Sequence, residues 1–220
     1  MANTTLGLPT DLHDYLRRVA VREPAVLWRL RAETASMPEA NMQIAPEQGA
    51  LMALLAELTG ARRCLELGTF TGYSALAVAL VLPPGGRVVC CDMSREWTDV
   101  GRRFWAEAGV DDRIEVRIGP ALDSLDAMIN EGASDSVDFA FVDAAKEEYP
   151  AYYERLMRLV RRGGLMLFDN VFWGGDVVNP EVDDSDVRGI RELNERLAAD
   201  ERVTVAMVPL ADGLTLVRRR

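Results

Sequence analysis

The sequence predicts an α/β protein: a doubly wound, Rossmann-like, mostly parallel seven-stranded sheet with an antiparallel C-terminal hairpin and an N-terminal helical cover. Three observations carry that expectation. Short β-rich runs alternate with amphipathic stretches from residue 62 onward, the last two runs are joined by too little chain for a crossover, and the first sixty residues are helical in pattern.

In chain order, residues 11–35 and 46–59 carry apolar side chains at helical spacing, among them Leu51, Leu54, Leu55 and Leu58, with Met37-Pro38-Glu39-Ala40-Asn41 between them as a loop. Strand and helix then follow one another five times: 63–67 and 72–82, 87–91 and 95–108, 113–118 and 121–131, 137–142 and 147–162, 165–168 and 184–199. Helical crossovers of that length imply parallel strands. The runs 203–208 and 214–217 are separated only by Pro209-Leu210-Ala211-Asp212-Gly213, so they must pair as a hairpin. No repeat, low-complexity segment or linker interrupts the chain; residues 1–220 are expected to form one domain, with 1–60 as the cover and 61–220 as the α/β core.

A chain of 220 residues with 49% hydrophobic content can bury a substantial core. Its net charge of −10 argues against a polyanionic partner, so nucleic acid is not expected. No apolar stretch reaches the ~18 residues of a membrane span, and Met1-Ala2-Asn3-Thr4-Thr5-Leu6-Gly7 lacks a charged segment followed by an apolar one. A cytoplasmic protein with no membrane contact is expected. Cys64, Cys90 and Cys91 lie in apolar runs and read as inert core thiols; the adjacent pair would point to opposite faces of its strand.

In an open α/β sheet, ligands bind beyond the carboxyl ends of the strands, near the point where strand order reverses. The first strand ends in Glu66-Leu67-Gly68-Thr69-Phe70-Thr71-Gly72-Tyr73-Ser74, where Phe70 occupies the second glycine position of a dinucleotide fingerprint. NAD is thereby disfavoured, while Gly68 and Gly72 still permit a tight turn. The second strand ends in Cys90-Cys91-Asp92-Met93, which puts an acid where ribose hydroxyls are usually held; helix-terminal charge is the alternative for Asp92. An acid there, with no phosphate cradle and no Walker A sequence, points to an adenosine ligand without phosphates. S-adenosylmethionine is the common candidate.

The fourth strand ends at Asp143 and the fifth at Asp169-Asn170. On neighbouring strands, two carboxylates and an amide oxygen suit Mg²⁺, Mn²⁺ or Ca²⁺ rather than zinc, although strand-terminal Asp and Asn are also frequent turn residues. Of 25 basic residues only Lys146 is a lysine, and it stands three residues after Asp143, one helical turn away if the segment is helical. Lysine, unlike arginine, can release its proton when its surroundings favour it. His13 reads as structural or solvated, and Asp183-Asp184-Ser185-Asp186 as capping charge for the next helix. Trp173 suits either an acceptor pocket or core packing, beside a loop marked by Gly174, Gly175 and Pro180.

These motifs, together with Arg22-Glu23-Pro24, Met42-Gln43-Ile44, Phe141-Val142-Asp143-Ala144-Ala145-Lys146 and Asp169-Asn170-Val171-Phe172-Trp173-Gly174-Gly175, resemble the cation-dependent catechol-type O-methyltransferases, which include the caffeoyl-CoA O-methyltransferases and related bacterial enzymes. The resemblance runs through nearly the whole chain. It implies that Glu66, Gly68, Thr69, Ser74, Asp92, Met93, Ala121 and Asp143 contact S-adenosylmethionine, with Met42 and Ile44 closing over it. It implies a divalent cation (Mg²⁺, alternatively Mn²⁺ or Ca²⁺) on Asp143, Asp169 and Asn170, a catalytic Lys146, and a small catechol-type acceptor against Lys146, Asn170 and Trp173. A homodimer is expected on the same ground. Many members carry a second aspartate directly before the lysine; Ala145 stands there in this chain, as animal catechol methyltransferases also lack it, and weaker cofactor affinity is the expectation. An RNA or protein methyltransferase and a non-catalytic cofactor-binding protein are the rival readings. Acidic charge and the lack of an Asn/Asp-Pro-Pro-Tyr motif after the fourth strand weigh against the first, and Ala145 would favour the second.

Overall fold

Every other residue of the central strands changes sides, and the two sets of side chains build two separate cores. This computed structural model describes residues 7–220, so the expectation drawn from Met1 to Leu6 lies outside the described residues. Strands β1 (Arg63–Leu67), β2 (Arg87–Asp92), β3 (Ile114–Ile118), β4 (Val137–Val142), β5 (Val160–Asp169), β6 (Val203–Val208) and β7 (Leu214–Arg219) form one sheet in the order β3-β2-β1-β4-β5-β7-β6. The first five run parallel, and β7 pairs antiparallel with both β5 and β6, giving the expected sheet and hairpin.

On one face Cys64, Cys90, Phe139, Phe141, Leu165 and Leu167 pack with α4 (Tyr73–Ala79), α5 (Arg95–Glu107) and the covering helices α2 (Ala25–Thr34) and α3 (Pro46–Leu58). On the other, Leu65, Cys91, Ala140, Val142, Met166 and Phe168 pack with α6 (Ala121–Asn130), α7 (Tyr149–Leu159) and α8 (Ser185–Ala199). Alternation of this kind, with both faces apolar, is what a parallel sheet covered on both sides requires. Each fully buried Leu, Phe or Met contributes about 1.5–3 kcal/mol of transfer free energy, which is what holds the helices on. Helix ends obey local chemistry: Ser94 Oγ accepts from Trp97 N at 3.2 Å and caps α5, and Asp184 Oδ1 accepts from Val187 N at 3.0 Å and caps α8.

Three boundaries differ from the sequence reading. The helical pattern over 11–35 is two helices, α1 (Thr10–Ala20) and α2, because Pro24 disfavours helical backbone at the residue before it and becomes the cap of α2. The helix expected over 147–162 ends at Leu159, and β5 starts at Val160, paired with Val137 ahead of a register shift that Gly163 (φ +78°) accommodates. Residues 143–145 are not helical, and a short 3-10 turn begins at Lys146, so the lysine reaches Asp143 across a bend rather than along a helical turn.

The order of strands places the topological switch between β1 and β4, the positions at which crossovers change direction.

Candidate active site

At the carboxyl edge of β1 the chain must turn sharply beside the end of β4. Gly68 sits at φ +81°, and a Cβ there would lie 2.1 Å from the Asp143 carbonyl oxygen, so only glycine fits. Gly72 (φ +75°) is required for a different reason: a Cβ would lie 2.3 Å from the Trp105 ring. Both glycines of the motif serve close packing of the scaffold. The turn they form carries Thr69 and Phe70, whose amides donate to Asp92 Oδ2 at 2.8 and 2.7 Å, while Ser94 N donates to Asp92 Oδ1 at 2.7 Å. Asp92 therefore ties the ends of β1 and β2 together and still has lone pairs facing the cavity it lines.

That cavity, of about 640 Å³, lies over the switch point and is within the usual range for a small-molecule site. Of the residues expected at the cofactor, Met42, Ile44, Gly68, Thr69 and Ser74 line it, as do Asp92, Met93, Ala121 and Asp143. Lys146, Asn170 and Trp173 line the same cavity. Glu66 and Asp169 are buried beneath it rather than in its wall. Phe70 and Trp97 add an edge-to-face aromatic pair, 5.3 Å between centroids, beside Met93.

Glu66 is 2% exposed, and burial pushes its carboxyl up to about 8; Ser74 and Thr69 act in the opposite sense, and the charges of Asp143 and Asp92 add to the rise. Its Oε1 has no hydrogen-bond partner. A buried acid with one unpartnered oxygen beside a glycine turn is suited to a ligand that brings its own positive charge or N–H groups.

At the other end Lys146 Nζ lies 2.6 Å from Asp143 Oδ1, with the rings of Tyr149 and Trp173 at 5.4 and 5.8 Å from the ammonium. Burial raises Asp143, and Lys146 partly offsets it. Asp169 is pushed up to about 7 by burial first and then by the Asp143 charge, against a 2.8 Å hydrogen bond from Gln48 Nε2. Burial thus disfavours the charged form of both carboxyls, and a cation placed between them would favour it. Asn170 follows in left-handed conformation (φ 56°), which turns the chain back towards the cavity. Among the described residues, no group of three or more His, Cys, Asp and Glu side chains is arranged to hold a metal; the donor set here is two carboxylates and an amide.

Three residues with structural consequences at this site carried no sequence signal. Gln48 opens α3 and reaches Asp169 across 121 residues of chain. Tyr149 OH donates to both Val142 O (3.2 Å) and Asp169 O (3.0 Å), clamping the ends of β4 and β5. Asp212 lines the cavity from the β6–β7 corner: its Oδ1 accepts from Gly174 N at 2.7 Å, its carbonyl accepts from Phe172 N at 3.0 Å, and its carboxylate interacts with Asn170. The shortness of 209–213 marked a hairpin, but nothing in it marked the contact of Asp212 with the 170–175 loop. His13, by contrast, is buried and pairs with Glu47 at 2.5 Å between α1 and α3, away from the cavity. Burial also pushes all three thiols up, as inert core cysteines require.

A switch-point cavity with an acid at the end of β2, a glutamate with one unpartnered oxygen beneath it and a lysine–aspartate pair is the kind of site a doubly wound α/β protein offers a small molecule. Comparison with known proteins narrows this. The family model described as O-methyltransferase matches residues 17–220, and the chain belongs to that family. It is 43% identical over 205 residues to the mouse catechol O-methyltransferase domain-containing protein 1, covering 93% of this chain and 78% of the relative. It is 41% identical over 218 residues to a caffeoyl-CoA O-methyltransferase of Eucalyptus gunnii, covering 94% and 87%. Among solved structures, the Streptomyces achromogenes O-methyltransferase TomG, involved in tomaymycin synthesis and crystallised with S-adenosylmethionine, superposes with a TM-score of 0.86 at 34% identity, covering 95% of this chain and 96% of that one. No helix among the described residues is long and apolar enough to cross a membrane.

Proposed function

We propose that the protein transfers the methyl group of S-adenosylmethionine to one hydroxyl of a vicinal-diol phenol, with a divalent cation on Asp143, Asp169 and Asn170. The observation that carries this reading is one cavity lined by residues of both sets, Asp143 among them, with Glu66 and Asp169 buried beneath it. The S-adenosylmethionine complex of TomG supports the donor, and the names of the catechol-type and caffeoyl-CoA relatives support the acceptor class.

The residues suit both partners. Glu66, lying under the cavity with an unpaired Oε1, is the natural partner for the ammonium of the methionine moiety, Asp92 for ribose hydroxyls, and Phe70, Met93 and Trp97 for an aromatic base. The donors of Asp143, Asp169 and Asn170 are hard oxygens, two carboxylates and an amide, which fits Mg²⁺, Mn²⁺ or Ca²⁺. When bound, the cation acidifies and orients adjacent hydroxyls.

Methyl transfer is a direct displacement. The phenolic O–H loses its proton, the oxygen forms a bond to the methyl carbon, and the C–S electron pair returns to sulfur, leaving neutral S-adenosylhomocysteine. A phenol of pKa near 10 is only ~0.1% ionised at pH 7, so full ionisation calls for roughly 4 kcal/mol of selective stabilisation. Lys146 is the cationic or basic group within reach, either receiving the proton or offsetting the oxyanion charge. Orienting donor and acceptor in one enclosed space contributes a further ~7–11 kcal/mol, the larger effect.

The deciding experiment is turnover of a simple catechol followed by mass, with and without chelation. Methylation that stops in excess EDTA and returns with Mg²⁺ supports the reading; undiminished turnover in EDTA removes the cation from it. We further infer a cytoplasmic homodimer: three buried free cysteines suit a reducing compartment, and Leu12, Tyr15 and Val19 form an exposed apolar stripe on α1. Light scattering on the purified chain and cell fractionation check these two points.

A further inference from the structure

We propose that the amino edge of the sheet carries a second small-molecule site, which binds a multiply charged phosphate-type oxyanion on Arg62, Arg63 and Arg87. The methyl-transfer cavity lies beyond the carboxyl ends of the strands; this site lies a full strand away, where β1, β2 and β4 begin. An open cleft of about 540 Å³ is lined there by the three arginines together with Asp135 and Asp138.

The two carboxylates are already partnered by groups other than these guanidiniums. Asp138 Oδ1 accepts from Arg161 Nε at 2.5 Å, and its Oδ2 accepts from the backbone amides of Arg62 and Arg63 at 2.9 Å each. Asp135 pairs with Arg219, whose guanidinium also donates to Val160 O at 2.5 Å. The chain has 35 acidic residues, yet among the described residues none is in an ion pair with Arg62, Arg63 or Arg87. Arg62 Nη2 donates to Pro84 O at 2.9 Å and Arg87 Nη1 to Asp112 O at 3.3 Å, which leaves most of the donors of each fork unused. The Arg63 guanidinium has no hydrogen-bond partner among the described residues.

Strand register makes this arrangement unfavourable by itself. Arg63 and Arg87 are paired positions of adjacent parallel strands, so their Cα atoms lie roughly 4.8 Å apart and their side chains leave the sheet on the same face. Like charges placed side by side in this way repel, and no carboxylate stands between them to offset it. A phosphate group bridging the two would turn the repulsion into attraction, and planar guanidinium forks match phosphate oxygens in pairs. Three uncompensated positive charges favour a di- or trianion over a monocarboxylate.

The test is calorimetric titration of the purified chain, saturated with S-adenosylmethionine, at ~0.15 M NaCl so that weak surface attraction is screened. The titrants are pyrophosphate, ADP, acetate and a short DNA duplex. Pyrophosphate is expected to bind at one site with a Kd of ~1 mM or tighter, and acetate not to bind. ADP binding no tighter than pyrophosphate assigns the site to the phosphate group alone, and ADP binding ~10-fold tighter assigns it to a nucleotide; both support the proposal. Arg63→Gln removes a guanidinium that makes no other contact, so it should weaken pyrophosphate by ~10-fold while the melting temperature stays within ~2 °C of wild type. Arg87→Gln is expected to weaken it comparably, whereas Arg102→Gln, at an exposed position on α5, should change nothing. The proposal is overturned by pyrophosphate that fails to saturate below ~10 mM, by acetate binding as well as pyrophosphate, or by affinity for the duplex alone. Arg63→Gln losing no more affinity than Arg102→Gln, or pyrophosphate binding that appears only when S-adenosylmethionine is omitted, overturns it as well.

Discussion

Lys146 stands where an arginine would carry the same charge in a different shape. The 2.6 Å contact to Asp143 needs a compact head group on a stem that reaches from the start of the 3-10 turn. A planar guanidinium at that point would meet the Tyr149 and Trp173 rings that flank the ammonium. Lys146→Arg is therefore expected to lower kcat by ~100-fold or more while the S-adenosylmethionine Kd changes by less than ~3-fold, the two read separately by kinetics and calorimetry. Asp212 acts on the same region through backbone: its carboxylate holds Gly174 N, in a loop where Asn170, Trp173, Gly174 and Gly175 all have positive φ. Asp212→Ala leaves that amide without its partner, and we expect ~1–3 kcal/mol less stability together with a raised acceptor KM. Asp212→Asn, which keeps an accepting oxygen, should recover most of the stability, and the comparison separates support of the loop from the carboxylate's charge.

Among the elements, α8 has a closer bearing on the site than its distance in sequence suggests. Gly189 allows the helix to approach within contact of Lys146 O and Glu147 Cα, and it lies in ordinary helical backbone, so alanine there is disfavoured only by this approach. Gly189→Ala is expected to cost about 1–3 kcal/mol by overpacking despite alanine's better helix propensity, and to reduce kcat by displacing the lysine turn. Thermal melting and steady-state kinetics on the same preparation check both effects. The strand ends are set by comparable local demands. Tyr149 ties Val142 O to Asp169 O, which keeps the two carboxylates on adjacent strands at one height. The helices and strands after residue 62 were legible because period and turn chemistry are written locally. The break at Pro24 was also written locally and should have ended the helical reading of 11–35. The early start of β5 was not, since Val160 becomes strand by pairing with Val137 from a different part of the chain.

For the molecule as a whole, the buried charge under the cavity links folding to pH. Glu66 has a carboxyl raised from 4.5 to about 8 by burial, so between those values the folded protein holds a proton that the unfolded chain has released. That contribution is fully present below pH ~4.5 and is lost as pH rises towards ~8, an effect on the order of a few kcal/mol. Denaturant melts across pH 5–8 should show wild type losing stability relative to Glu66→Gln over this window. A cationic donor stabilises the carboxylate, so S-adenosylmethionine binding near pH 7 should release up to about one proton, measurable as a buffer-dependent heat; an unchanged heat in buffers of different ionisation enthalpy would remove Glu66 from that role.

The sequence by itself determined the kinds of element, their order, the parallel sheet with its terminal hairpin, and the placing of Asp92, Asp143 and Asp169-Asn170 at strand ends. Those features follow from side-chain alternation, turn residues and loop lengths, all of them properties of short stretches of chain. Only the tertiary structure decided which strand ends are neighbours, that Gln48 and Asp212 reach in from residues 121 and 38 positions away, and that Arg191 binds four carbonyls of the 176–182 segment. These depend on pairing between distant segments, whose free energy comes from burying two faces of one sheet at once, and no local pattern records it.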